Sequence, residues 1–204
     1  LPKSREDFQS QVRVNALSCA RSIAAGYSCN PSHSEQVGRF ACQIFDKMKK
    51  RHGLDQQGKL ILELAAILHD CGYYVNSKEH LSSTFNLIQN MDIYGMTSTE
   101  MRYVAYAVRC SSYEPYSPED YDDGMYELSD EAQLLVSKLT AMFRLADALD
   151  KSQKQKVSAI RVKLDNDRLV ITAESNENML LEKWAFSYCA SFFTNVFGIT
   201  PELI

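Results

Sequence analysis

The sequence predicts a mainly α-helical protein, in which a helical bundle is followed by a β-hairpin and a C-terminal helix. Apolar residues recur at helical spacing over most of residues 1–155. The period then changes to strict alternation in "SAIRVKL" and "RLVITAE", and it returns to helical spacing near the C-terminus. We therefore predict a helical domain over 1–155, with a hairpin-and-helix appendage over 156–204 packed on it.

Three helices are predicted in the first part of the chain. Residues 4–26 form the first helix, which Gly26 ends. The stretch "SHSE" has the spacing of a capping box, Ser32 with Glu35, and it predicts that a second helix begins there and ends at Gly53. A third helix, about 57–70, is apolar nearly all round, which is typical of a central helix covered on most sides.

The remaining elements follow from capping signals and changes of period. A short helix is expected at about 80–90, and the capping box "TSTE" opens another at 97–100. Residues 112–128, rich in tyrosine, proline and acidic side chains, predict a long loop. A long helix over 129–149 precedes the hairpin, which is expected at about 158–174 around "DND". The last helix is predicted over 179–197, before Gly198 and Pro201.

Composition excludes several classes of protein. Of the 204 residues, 45% are hydrophobic and 24% charged, and the net charge of −4 argues against binding a nucleic-acid polymer. No apolar stretch approaches about 18 residues and no secretory leader is evident, so we expect a cytoplasmic protein without a membrane segment. The six cysteines are scattered without a CxxC motif, which predicts reduced thiols and not a cysteine zinc site. The chain begins at Leu1 instead of Met, which suggests a piece of a longer protein.

Two of the four histidines are expected to meet. The stretch "LAAILHDCGYY" ends the most apolar helix on His69 and Asp70, and His33 lies in the first turn of the helix before it. These two helices are joined by a short connection, which predicts antiparallel neighbours. The start of one helix then lies near the end of the other, so His33 should lie near His69. His52, in "KKRHGL", is expected to be an exposed residue at a helix end.

A carboxylate in the late helix is the next candidate ligand. Asp147 lies among apolar residues in "FRLADALD", and a buried carboxylate needs a partner. Asp150 follows at i+3 and shares its face. Arg144, at i−3, could pair with Asp147 within the helix or could bind an anion beside a metal ion. Imidazoles combined with carboxylates suit a divalent transition metal. The alternative for His69 and Asp70 is a capped helix end with a surface ion pair.

Together these motifs resemble a known family. The order His33, His69-Asp70, Asp147 is similar to the H…HD…D pattern of HD-domain phosphohydrolases, with "ILHDCG" and "RLADALD" around it. The segments "HSEQVGRFACQIFDKMKKRHGL", "LELAAILHDCGYYVN", "FNLIQNMDIYGMTSTE", "VRCSSYEP", "LTAMFRLADALDKSQKQKV" and "LEKWAFSYCASFFTNVFGI" resemble the C-terminal HD-type domain of exopolyphosphatase and guanosine pentaphosphate phosphatase proteins, the Ppx/GppA family.

The resemblance implies a fold, a ligand set and a partner domain. It implies an HD-domain helical bundle in which His33, His69, Asp70 and Asp147 hold one divalent metal ion, Mn, Fe, Ni, Zn or Mg. It also implies an N-terminal actin-like domain in the full-length protein. The chain departs from the family pattern at "HLSST", 80–84, and at "RCS", 109–111, where relatives often carry further histidines. These departures favour one metal ion at most.

Two functions are then compatible with the sequence. In the first, the module is a metal-dependent HD-type phosphohydrolase that acts on a phosphate ester or a nucleotide-like substrate. Asp70, His80, Lys78 and Arg144 are its candidate catalytic residues, although Lys78 and His80 could equally be solvated loop residues. In the second, the chain is a non-catalytic accessory domain that binds polyphosphate or forms a homodimer.

Overall fold

The computed structural model describes residues 4–73, 80–111 and 124–204. Over these residues the chain is mostly helical and carries one small three-stranded sheet. The helices are α1 Arg5–Gly26, α2 Pro31–His52, α3 Gln56–Leu68, α4 His80–Gln89, α5 Ser98–Arg109, α6 Asp130–Ala148 and α7 Leu180–Phe197. The strands are β1 Ala159–Asp165, β2 Arg168–Glu174 and β3 Thr200–Leu203.

Helix α3 occupies the centre of the bundle, as its all-round apolar surface predicts. It contacts α1, α2, α5 and α6. Every residue from Leu64 to Leu68 is buried, with at most 6% of its surface exposed. Because α3 is enclosed on most sides, its C-terminal end is held in a fixed position relative to α2 and α6.

The helix ends agree with most of the predicted capping signals. Thr97 and Glu100 form the predicted capping box of α5, and Gly53 ends α2 in the left-handed conformation at φ 66°. The start of α2 differs from the prediction. Asn30 caps the helix, since its side chain accepts a hydrogen bond from the His33 amide, so the helix begins earlier than the Ser32 capping box suggested.

The hairpin forms where alternation predicts it. Strands β1 and β2 pair antiparallel in the register Asp165 with Arg168, and Asn166 in the turn adopts a positive φ of 50°. Strand β3 was not predicted; it pairs parallel to β2 and places Pro201 opposite Leu169. A four-residue edge strand containing proline has almost no sequence signal, since proline normally ends a strand pattern.

The C-terminal elements contact the helical bundle directly. Helix α7 packs against α6, and β1 contacts α2. Gln36 and Arg39 of α2 donate hydrogen bonds to the carbonyl groups of Val157 and Ser158, just before β1. The boundary at 155/156 remains a prediction. Among the described residues, no helix combines the length and hydrophobicity needed to cross a membrane.

Candidate metal centre

Three helix ends converge on one buried cluster of histidine and aspartate side chains. His33 lies in the first turn of α2, His69 caps the C-terminal end of α3, and Asp147 lies in the last turn of α6. Helices α2 and α3 are neighbours in contact. The predicted proximity of His33 and His69 is confirmed, because their Nε2 atoms lie 3.2 Å apart.

The potential ligand atoms of this trio face one another. Asp147 Oδ1 lies 3.4 Å from His33 Nε2 and 3.7 Å from His69 Nε2. One ligand atom from each of the three residues lies within 4.8 Å of the others. Both histidines are buried, with 1% and 7% of their surfaces exposed. The cluster therefore presents two imidazole nitrogens and one carboxylate oxygen to a common point.

Asp70 lies at the edge of the cluster. Its Oδ2 atom lies 3.5 Å from His69 Nε2, and it accepts a hydrogen bond from Gln153 Nε2 at 3.1 Å. The side chain is 24% exposed, more than those of the other three residues. Asp70 therefore faces both the trio and solvent.

Each histidine is oriented by a hydrogen bond from its other ring nitrogen. His33 Nδ1 lies 2.8 Å from Asp150 Oδ2, and His69 Nδ1 lies 2.8 Å from the carbonyl oxygen of Ala66. A carboxylate and a carbonyl oxygen only accept hydrogen bonds, so each Nδ1 atom carries a proton. An imidazole that is neutral in this tautomer presents an unprotonated Nε2 to the cluster. This arrangement is common among histidines that bind metal ions.

The contact between the two Nε2 atoms requires a positive charge. Two unprotonated nitrogens at 3.2 Å would bring their lone pairs together, with no hydrogen between them. Either one imidazole gains a second proton or a cation occupies the common point. Asp147 beside both nitrogens favours the positive charge in either case.

The pKa values in the cluster move in the directions that this charge balance predicts. Burial alone would lower the pKa of His33, but hydrogen bonds to Asp147 and Asp150 outweigh it and raise that pKa to about 9. For Asp147, burial raises the pKa, but the hydrogen bond from His33 and the charges of His69 and Lys151 outweigh it and hold the pKa well below its ordinary value. The metal-free cluster therefore favours protonated His33 beside ionised Asp147 over much of the pH range.

The donor set fits one divalent transition metal ion. Ligand atoms about 2.1 Å from a shared ion lie roughly 3 to 4 Å from one another. The separations of 3.2, 3.4 and 3.7 Å within the trio meet that requirement. Imidazole nitrogens with carboxylate oxygens are the donors that Mn, Fe, Ni and Zn accept. The residues present could therefore hold such an ion with little rearrangement.

Of the remaining candidate residues, Arg144 alone has a side chain that the structure describes. Arg144 is buried and its guanidinium lies 5.1 Å from the centre of the Phe192 ring on α7, so the side chain contacts an aromatic ring. Lys78 lies outside the described residues. His80 begins α4, and its side chain also lies outside the described part of the structure.

His52 is buried instead of exposed, so the expectation of a solvated helix-end residue is wrong. Only 1% of its surface is exposed. Its Nε2 donates to the carbonyl of Phe45, and its Nδ1 accepts from the amide of Leu54. These two bonds give His52 a structural role at the end of α2.

Two residues around the centre were missed. Asp150 was expected only to share a face with Asp147, and Gln153 was not among the candidate residues. In the 150–156 loop, where Gln153 and Gln155 have positive φ values of 55° and 50°, Asp150 is fully buried and the exposed Gln153 reaches Asp70. Gln155 holds Asp150 by two hydrogen bonds, from its backbone N at 2.7 Å and its Nε2 at 2.9 Å. The i, i+3 spacing of Asp147 and Asp150 was the available signal.

The chain was compared with models of known protein families. The model described as Ppx/GppA phosphatase, domain III, matches residues 16–187, which is most of the chain and includes the whole cluster. A comparison with curated proteins finds no match.

Proposed function

Because the chain belongs to the Ppx/GppA phosphatase family, we propose that it is a metal-dependent phosphohydrolase module of the HD type. His33, His69, Asp70 and Asp147 hold one divalent ion, and the substrate is a phosphate ester or a nucleotide-like molecule. The observation that carries this proposal is the distance of 3.2 Å between the Nε2 atoms of His33 and His69. The Nδ1 atom of each imidazole is already hydrogen-bonded to an acceptor.

The protein side chains prepare the centre before any substrate arrives. The Asp150 carboxylate holds the ring of His33 and increases its basicity, while the Ala66 carbonyl holds the ring of His69. Gln153 orients Asp70 by a hydrogen bond to Oδ2. These contacts fix the ligand atoms, so little conformational entropy is lost when the cluster gains its cation.

A bound divalent ion would polarise a phosphate oxygen and lower the pKa of a water molecule beside it. The exposed edge of the cluster, at Asp70, is the side from which a phosphate would approach. Lys151 lies beside the trio, since its Nζ atom is 3.7 Å from Asp147 Oδ2, and its side chain is 32% exposed. Its ammonium group would offset part of the negative charge of a phosphate.

A second function is favoured by the position of Arg144. This guanidinium lies 5.1 Å from the centre of the Phe192 ring, whereas the ammonium group of Lys151 lies 3.7 Å from Asp147 Oδ2. The family model covers a domain numbered III, so the family includes further domains. In this alternative the chain is an accessory domain of a larger protein that carries an N-terminal actin-like domain, and it binds polyphosphate or forms a homodimer without its own chemistry.

Metal titration combined with a phosphatase panel separates these functions. We expect the purified chain to bind about one equivalent of Mn²⁺ by isothermal titration calorimetry and to hydrolyse at least one phosphate ester. Asp70→Ala should lose both properties. The matched control is Asp92→Ala, which removes an exposed carboxylate from the connection between α4 and α5.

The two functions predict different results. Binding of Mn²⁺ without hydrolysis of any panel substrate would favour the accessory function. Absence of stoichiometric binding of Mn²⁺, Ni²⁺, Co²⁺ or Zn²⁺ would reject the metal centre itself.

A further inference from the structure

Two buried thiols lie directly beside the candidate metal centre. Cys29 Sγ and Cys71 Sγ are 3.4 Å apart, although the residues are 42 positions apart in sequence. Cys71 immediately follows His69 and Asp70, and Cys29 immediately precedes Asn30, the residue that caps α2. The sulfur atoms therefore connect the segments that deliver His33 and His69.

One of the two thiols is accessible from outside. Cys29 lines a cavity of about 280 Å³ between α1 and the start of α2, and 9% of its surface is exposed. Cys71 is fully buried. A small oxidant can therefore reach Cys29 first, and Cys71 lies behind it at van der Waals distance. This is the arrangement of an attacking thiol and a resolving thiol.

We propose that Cys29 and Cys71 form a reversible disulfide in the presence of hydrogen peroxide, and that this bond weakens metal binding at His33, His69, Asp70 and Asp147. The regulatory half of this inference rests on the proposed function. In the first step Cys29 attacks one peroxide oxygen and the O–O bond breaks, which gives a sulfenic acid and one water. In the second step Cys71 attacks that sulfur, the S–O bond breaks, and a second water leaves. Two thiols are oxidised and one peroxide is reduced.

The new bond would displace the turn that carries two of the ligands. A disulfide has an S–S distance of about 2.05 Å, so the sulfur atoms must approach by about 1.3 Å from their present 3.4 Å. The turn has little freedom to absorb that movement. The amide of Cys71 donates to the carbonyl of Leu68, and the amide of Gly72 donates to Thr84 Oγ1.

His69 and Asp70 would move with the turn. Metal sites require their ligands within about 0.5 Å of the productive geometry. The approach of about 1.3 Å is shared between the two thiols, and the part of it that the turn takes up moves His69 and Asp70. We therefore expect Mn²⁺ affinity to fall at least about tenfold, as it does when supporting contacts of a metal site are lost.

The experiment combines thiol chemistry with metal titration. The full chain is reduced, treated with hydrogen peroxide and alkylated, and its peptides are mapped by mass spectrometry without reduction. We expect a Cys29–Cys71 linkage that dithiothreitol reverses. Mn²⁺ titrations of the reduced and oxidised chain should then differ at least about tenfold in affinity, and the difference should vanish in Cys29→Ser and in Cys71→Ser. Cys42→Ser is the matched control, since it removes a half-buried thiol and leaves the pair intact.

Each result decides one part of the inference. Absence of the linkage after peroxide treatment overturns it, whatever the metal titrations show. A linkage with unchanged Mn²⁺ affinity overturns the regulatory role. If the reduced chain itself binds no metal ion, the proposed function fails and the regulatory role fails with it, while the mapped linkage still decides the disulfide. Because Cys71 is fully buried, Cys29→Ser decides the comparison if Cys71→Ser fails to fold.

Discussion

The substitution Asp150→Asn tests how the metal centre is assembled. Asp150 is fully buried and its carboxylate accepts three hydrogen bonds. They come from His33 Nδ1 at 2.8 Å, from the backbone N of Gln155 at 2.7 Å, and from Gln155 Nε2 at 2.9 Å. Each of these three groups is a donor, so an amide of the same shape as the carboxylate cannot satisfy all of them.

The magnitude follows from these three bonds. The side-chain amide that Asp150→Asn introduces has one atom that is itself a donor, which must face either His33 and the Gln155 side chain or the Gln155 backbone. A buried donor left without an acceptor costs about 1 to 3 kcal/mol of folding free energy. Loss of a carboxylate behind a ligating histidine typically lowers metal affinity about 10- to 100-fold, which is about 1.4 to 2.7 kcal/mol of binding free energy.

The assay uses two measurements on the same protein. Thermal unfolding without metal gives the change in folding free energy, and calorimetric titration with Mn²⁺ gives the change in affinity. Asp167→Asn is the control, since it replaces an exposed carboxylate in the turn between β1 and β2. We expect this control to differ from the wild type by less than about 0.5 kcal/mol in both measurements.

Two results would refute this reasoning in different ways. If Asp150→Asn binds Mn²⁺ with wild-type affinity while its stability falls, Asp150 supports the loop but does not tune His33. If both quantities are unchanged, the hydrogen bonds assigned to the carboxylate contribute nothing measurable.

Three further predictions follow from the same structure. Because the pKa of His33 is raised to about 9, the folded metal-free protein gains stability that is complete below pH ~6.5 and lost as the pH rises through 9. The midpoint of thermal unfolding should therefore fall over this range more in the wild type than in His33→Gln, and equal slopes would contradict the shift. Gln153→Ala removes the hydrogen bond to the Asp70 carboxylate. We expect calorimetry to show weaker Mn²⁺ binding and thermal unfolding to show little change in stability. An unchanged Mn²⁺ affinity would mean that the hydrogen bond from Gln153 does not position Asp70. Leu64→Ala, in the buried centre of α3, should cost about 2 to 5 kcal/mol in denaturant unfolding. Leu134→Ala, 51% exposed on α6, is its control, and equal losses would contradict the central position of α3.

The helices could be predicted because their signals are local. The apolar periodicity of α2, the capping box of α5 and the glycine after α7 each depend on residues a few positions apart. The short connection between α2 and α3 was also sufficient to predict that His33 and His69 meet. The β-hairpin was predictable for the same reason, since alternation and its turn lie within one continuous segment.

The strand β3 and the Asn30 cap were not predictable in this way. The pairing of β3 depends on β2, which lies on the other side of α7 in the sequence. The start of α2 depends on which of several polar residues actually reaches a free amide, and Asn30 does so three positions before His33. A motif such as "SHSE" indicates that side chains able to cap a helix are present there, but not which of them forms the hydrogen bond.

The sequence by itself determined the helical class, the central position of α3 and the proximity of His33 to His69. Only the tertiary structure decided how those side chains are held. The Nδ1 atom of His33 is hydrogen-bonded to the carboxylate of Asp150, which lies 117 residues away in the sequence. The carboxylate of Asp70 accepts a hydrogen bond from Gln153, which lies 83 residues away. The thiols of Cys29 and Cys71 are likewise brought together from positions 42 residues apart. Spacing along one helix can place a ligand, but contacts between distant segments exist only after the core has packed and set the distances between helix ends.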